Sequence, residues 1–159
     1  MRRPTNLLVA VLLASSTVLA PLGAGAAAQR LVGRPSAVTD GDTLRFGSIR
    51  VRLAGIDAPE MSTSYGAASR AFLEQLVSGM ELRCVDLGQR SYDRVVARCY
   101  LPGDQDLGSA MVAAGWAFDW PTYSHGAYRA LELQARVFRR GIFSASPLAA
   151  REQYHPRDR

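Results

Sequence analysis

The stretch 38-VTDGDTLRFGSIRVRLAGIDAPE-60 constrains the fold more than any other part of the chain, because it sets short β-type runs between tight turns. The runs 35-PSAVTD-40, 42-DTLRF-46 and 49-IRVRLAGI-56 are joined at Asp40-Gly41 and Gly47-Ser48, so they read as a hairpin or meander. Ile49, Val51 and Leu53 alternate with Arg50, Arg52 and Ala54, which gives the last run one buried and one polar face and turns Arg52 away from the core side. The same stretch gathers Asp40, Asp42, Asp57 and Glu60 among arginines. Crowded like charges repel, so either turns spread these acids into water or a cation holds them together.

Two further strand-like runs, 81-ELRCVD-86 and 94-RVVARCYL-101, flank the polar segment 88-GQRSYD-93, which reads as a turn. Three helices are expected. The first, over 65–79, carries a stripe of Ala68, Phe72, Leu73, Leu76 and Val77 and closes at Gly79. The others cover 107–115 and 126–141, each ending on glycine. Five short strands with interleaved helices give an α+β class, mainly β: a five-stranded oligonucleotide-binding (OB-fold) barrel capped by about three helices. At 159 residues, 48% hydrophobic and 21% charged, the chain has room for one such core. That domain is expected over 29–150, followed by a polar, disordered tail at 151–159.

Residues 1–28 have the pattern of a secretory signal peptide: Arg2 and Arg3, the apolar run 7-LLVAVLLASSTVLA-20, then small residues at 26-AAA-28. The apolar run is short for a bilayer span, which needs roughly 20 residues. The expected location is therefore secreted or periplasmic, with no stable membrane association after cleavage. Export implies an oxidising compartment, where Cys84 and Cys99, the two cysteines, favour a disulfide over two buried free thiols. Every basic residue counted in the chain is arginine, and without Arg2 and Arg3 there remain 17 against 14 acids. Such a mild positive balance suits a polyanionic partner without requiring one.

Asp40-Gly41-Asp42 alone is a generic turn, but 55-GIDAPE-60 supplies a second pair of acids directly after a strand. Two such turns at neighbouring strand ends present Asp42 and Asp57 to one point, as hard oxygen ligands for Ca²⁺ with waters and a backbone carbonyl completing the shell. Glu60 then stands beside the ion. Arg52 and Arg94 supply the complementary charge, because a phosphodiester under attack gathers negative charge that guanidinium groups stabilise. A metal, a carboxylate base and two arginines make a chemically complete phosphodiesterase site.

V-x-D-G-D-T, then R-L-x-x-I-D-A-P-E, then Y-x-R-x-x-A, in this order and spacing, resemble the staphylococcal nuclease (thermonuclease-like) family. The resemblance covers roughly residues 34–144 and includes 135-ARVFRRGIF-143 at the family's last helix. It implies the five-stranded barrel and Ca²⁺-dependent hydrolysis of DNA and RNA. By position it makes Asp42 and Asp57 the calcium carboxylates, Ala58 the backbone-carbonyl ligand and Asp40 an acid beside the metal. Glu60 falls on the general base, Arg52 and Arg94 on the phosphate-binding arginines, and Tyr92 on a tyrosine that packs against the nucleotide. The family's Tyr-Gly-Arg is here 92-YDR-94, and the expectation is that Asp93 weakens the field of Arg94.

Two other readings remain at this stage: a non-catalytic nucleic-acid-binding OB-fold module, and a Ca²⁺ site that only stabilises. In 116-WAFDWPTYS-124, Trp116 and Phe118 are expected in the core with a turn at Pro121, and Tyr123 is the surface candidate for stacking on a base. A monomer acting on DNA and RNA is expected. The mature chain should begin near Gln29, and the intact mass of the exported protein checks this; retention of Met1 would contradict it.

Overall fold

The computed structural model describes residues 29–145. The expected signal peptide at 1–28 and the tail at 151–159 lie outside the described residues. Strands β1 (Arg30–Gly33), β2 (Ala37–Asp40), β3 (Thr43–Phe46), β4 (Ile49–Leu53) and β5 (Ile56–Asp57) precede helix α1 (Gly66–Val77). The long strands β6 (Leu82–Ser91) and β7 (Arg94–Tyr100) follow, then α2 (Leu107–Ala113), β8 (Phe118–Asp119), α3 (Pro121–Ser124) and α4 (Arg129–Val137). A 3₁₀ turn at Gly141–Phe143 comes last.

Six strands form one mixed sheet in the order β1-β6-β7-β4-β3-β2, with β4 and β7 parallel and the other neighbours antiparallel. Its two edge strands, β1 and β2, are consecutive in sequence and separated by residues 34–36 alone. Laid flat, six strands would hold those edges about 24 Å apart. Four residue steps reach at most about 14 Å. The sheet must therefore curl, and β1 and β2 act as two halves of one broken strand with Pro35 at the break, where no ladder N–H is needed. This is an α+β fold of the expected type, with a barrel strand split in two.

The core inside the curl is made of Leu44, Val51, Leu53, Ile56, Leu73, Leu82, Leu107, Met111 and Val112, all essentially inaccessible to solvent. α1 lays Gly66, Ser69, Leu73 and Val77 against it. Asp106 caps α2 by accepting the Ser109 N–H at 2.8 Å. A second apolar cluster joins Phe118 and Ala135 to Ile142 and Phe143, with Trp116 half-buried at its side. Trp116 and Phe118 are thus core residues, as expected.

Several sequence expectations shift. Ile49 is exposed, because it opens β4 opposite Phe46 at the end of the hairpin. The segment 88–93 is no turn: β6 continues to Ser91, and the hairpin bend is Tyr92-Asp93 alone, with Ser91 paired to Arg94. Gly88 instead sits in an irregularity between Asp86 and Gln89, with a φ of 72° and its N–H on Asp86 Oδ1 at 2.7 Å. Pro121 begins the short α3 rather than a simple turn. The helix expected over 126–141 is confined to α4, because left-handed φ values at His125 and Gly126, 55° and 80°, separate it from α3, and those at Arg139 and Gly141, 51° and 53°, stop it at its far end.

Cys84 and Cys99 face each other in the β6–β7 register and are joined by a disulfide. The bond closes a loop with a sequence separation of 15, for which the chain-entropy model gives about 3 kcal/mol. Urea unfolding with and without a reductant should show a stability loss of up to about 3 kcal/mol on reduction. An unchanged midpoint would contradict a structural role for the bond.

Candidate active site

β3, β4 and β7 bring three polar side chains to one face of the sheet. Thr43 lies directly opposite Arg52 in the β3–β4 register, Arg52 lies beside Val96 across the parallel β4–β7 pair, and Arg94 is two residues before Val96. With side chains alternating along strands, Thr43, Arg52 and Arg94 share that face. Over Arg52 stand Asp42, from the turn after β2, and Asp57, at the end of β5. Arg52 is consequently only 4% exposed, so the polar face of β4 is buried rather than solvated.

The two turns reach the same point by close packing. Gly41 has no positive φ; its need for glycine comes from space, since a Cβ there would stand 1.9 Å from Ser69 Oγ and 2.7 Å from the Ala58 Cβ. Ser69 is itself fixed by donating to the Trp116 carbonyl at 2.7 Å. The Asp40–Asp42 turn can therefore sit on α1 and touch the segment after β5. Asp40 Oδ1 accepts the Asp42 N–H at 3.1 Å, and Asp42 Oδ2 accepts the Ala58 N–H at 3.1 Å. In the loop beyond, the Glu60 carbonyl accepts from Thr63 N–H at 2.8 Å and Thr63 Oγ1 at 2.7 Å, and Gly66 packs so closely on it that a Cβ would meet it at 2.1 Å. That pins the half-exposed Glu60 beside the turn.

The two arginines differ in what holds them. The Arg52 guanidinium bridges Asp42 Oδ1 and Asp57 Oδ1, the latter at 3.2 Å, and also donates to the Ile56 carbonyl at 3.2 Å. Burial works against its charge, but Asp42 and Asp57 outweigh this and hold its pKa above the usual guanidinium value. Arg94, only 7% exposed, is held by neutral acceptors: Thr43 Oγ1 at 3.2 Å, Ser91 Oγ at 2.9 Å and the Ser91 carbonyl at 3.3 Å. Among the described residues no carboxylate forms an ion pair with it. A buried cation without a counter-ion is costly, and the cost is relieved when an anion binds.

The acids show the opposite imbalance. Burial raises the Asp42 carboxyl to about 6, with the Arg52 charge pulling it down and the Asp40 charge pushing it up. Asp57 Oδ2 is buried and accepts no hydrogen bond. Among the described residues no three His, Cys, Asp or Glu side chains converge as a metal cluster. Two carboxylates, one with an orphaned oxygen, plus a backbone carbonyl are nonetheless a hard-oxygen donor set that fits Ca²⁺ filled out by water.

Tyr92 is 91% exposed at the hairpin tip, with its ring centroid 6.0 Å from the Arg94 guanidinium carbon. Tyr123 stands edge-on to Trp120 with ring centroids 4.5 Å apart, and Trp120 lies 5.5 Å from the Arg52 guanidinium carbon. Both rings line an open cavity of about 160 Å³ that also meets Arg52, Leu87, Gln89 and Ser91. His125 is an exposed loop residue. The Asp93 carboxylate bonds Arg50 Nη1 at 2.9 and 3.1 Å and thereby ties the hairpin tip to β4; the Arg50 bond and, more weakly, the Arg94 charge hold its pKa below the usual carboxylate value. The glycine it replaces is not missed, because the left-handed residue of the turn is Tyr92, with φ 57°. Thr43 and Gly66 carry no sequence signal of their own, although Thr43 follows Asp42 directly.

The family model of the staphylococcal nuclease homologues matches residues 50–145, well over half of the chain. The chain belongs to that family. An uncharacterized endonuclease of Escherichia coli is 32% identical over 117 residues, 70% of this chain and 76% of that protein. An uncharacterized endonuclease of Haemophilus influenzae is 39% identical over 93 residues, 55% of this chain and 52% of its own length. A succinoglycan biosynthesis protein of Rhizobium meliloti is 30% identical over 132 residues, 76% of this chain and 69% of that one.

Because Gly41 meets both Ser69 and Ala58, Gly41→Ala should lower stability by about 1–3 kcal/mol. Thermal unfolding measures this. A melting temperature equal to the wild type would show that the Asp40–Asp42 turn is not seated as described.

Proposed function

We propose that this nuclease-family chain is an exported, Ca²⁺-dependent phosphodiesterase that cleaves DNA and RNA as a monomer. The observation that carries the reading is Arg94: a buried guanidinium bound by neutral acceptors, beside two buried carboxylates. No carboxylate among the described residues forms an ion pair with it, which suits a phosphate. Nucleases of this family are generally Ca²⁺-dependent, and Asp42, Asp57 and the Ala58 carbonyl are the groups that would hold the ion. When bound, Ca²⁺ would supply positive charge to the phosphate oxygens. Asp40 supports Asp42 from behind by holding its N–H.

In this scheme Arg94 and Arg52 take the non-bridging oxygens of the phosphodiester, and their grip tightens as negative charge builds during attack. Glu60 accepts a proton from water as its oxygen bonds to phosphorus; the opposite P–O bond breaks, and the leaving oxygen takes a proton from solvent. Tyr92, beside Arg94, and Tyr123, beside Trp120, offer exposed rings for bases to stack on. The oxidised Cys84–Cys99 pair accords with an exported protein. Among the described residues no helix is long and apolar enough to cross a membrane.

Cleavage of single-stranded DNA and RNA should require Ca²⁺ and stop with a chelator. Glu60→Gln should lower kcat by about 10² with nucleic-acid affinity nearly kept, while Arg94→Ala should lose both rate and some affinity. Asp93→Gly should change the rate little, since the hydrogen bonds of that carboxylate go to Arg50 rather than Arg94. Wild-type protein that binds DNA with Ca²⁺ but never cuts it would replace the enzyme with a binding module.

A further inference from the structure

We propose that Thr43 is a positioning residue: its hydroxyl keeps the Arg94 guanidinium off Asp42 and aimed at the substrate phosphate. This rests on the phosphodiesterase reading and assigns a part to a residue outside the groups named above for the metal and the phosphate.

Thr43 is fully buried at the start of β3. Its Oγ1 donates its one hydrogen to Asp42 Oδ1 at 3.0 Å and accepts from Arg94 Nη1 at 3.2 Å. A hydroxyl is a small group able to donate to an acid and accept from a base at once. It therefore separates two opposite charges that would otherwise pair, as Arg52 does with the same Asp42. Direct pairing would hold Arg94 against the protein, because a buried guanidinium–carboxylate contact is strong and bidentate by preference. With Thr43 between them, and with Ser91 holding Nη2 at 2.9 Å and Nε at 3.3 Å from its carbonyl, Arg94 is fixed in direction by neutral acceptors and forms no ion pair with a carboxylate among the described residues.

Three features of the fold make the hydroxyl's place specific. Thr43 is opposite Arg52 in the β3–β4 ladder, so it stands in the row of arginines rather than at its rim. Arg94 enters that row through the parallel pairing of β7 with β4, and Thr43 and Arg94 are far apart in sequence. The side chain is branched, so packing in a strand restricts its rotamers and fixes the hydroxyl's direction.

The test is Thr43→Val, which keeps the shape and removes both bonds, alongside Thr43→Ser, which keeps the hydroxyl. At saturating Ca²⁺, Thr43→Val should lower kcat about 10-fold or more with KM changed far less. Thr43→Ser should recover most of the rate. In an Arg94→Ala background, Thr43→Val should cost little further, because its effect passes through Arg94. Thermal unfolding of each variant separates these effects from loss of fold, and Thr43→Ser carries the test if the valine variant unfolds. A full Thr43→Val effect in the Arg94→Ala background, or a serine variant as slow as the valine one, would overturn the inference while leaving the nuclease reading intact. A wild-type protein that never cuts would remove that reading, and the inference with it.

Discussion

Arg52 is the residue on which the site's architecture depends. It is buried at the centre of the sheet, and it joins the turn after β2 to the end of β5 by contacting Asp42 and Asp57 together. Without it, two carboxylates would face each other out of water. Removing one partner from such a buried group typically costs about 3–5 kcal/mol, mostly through the charge left behind. Ion pairs of this kind are expensive to build and seldom chosen for stability alone. Here the return is geometric: two acids from separate turns are held at one place with an oxygen of Asp57 still unclaimed.

Arg94 shows the complementary use of the same side chain. Both arginines lie on one face of the curled sheet, yet one is neutralised by acids and the other is surrounded by hydroxyls and a carbonyl. The difference follows from what neighbours them. Asp42 and Asp57 flank Arg52, whereas Thr43 and Ser91 stand where acids would otherwise capture Arg94. The site thus holds a negative half suited to a cation and a positive half suited to a phosphate, side by side.

Much of this was legible in sequence where the controlling interactions are local. Asp42 and Asp57 follow turns at strand ends, and the alternation in 49–53 places Arg52 on the non-core face. The missed features depend on partners distant in the chain. Strand β1 is short, half-exposed and ends in glycine, and its pairing with β6 becomes visible only once the sheet closes. Gly88 signals a turn to a local reading but serves an irregularity inside a long strand. Asp93 reads from sequence as a neighbour of Arg94 alone, because the sequence does not show that Arg50 lies across from it and takes its hydrogen bonds. Thr43 was hidden for the same reason, since its link to Arg94 exists only through the parallel pairing of β4 with β7. Glycine 41 was read as turn chemistry, whereas the packing of Ser69 and Ala58 sets its size.

The central claim is that Arg94, held by neutral acceptors, keeps its positive charge for a substrate phosphate. Its most direct measure is the salt dependence of binding to a single-stranded phosphorothioate oligonucleotide, compared between wild type and Arg94→Ala. Each phosphate neutralised on a single strand contributes about 0.7 to the slope of log affinity against log salt. The slope for Arg94→Ala should therefore be shallower than wild type by about 0.7. Parallel slopes would show that Arg94 meets no phosphate and would contradict the claim.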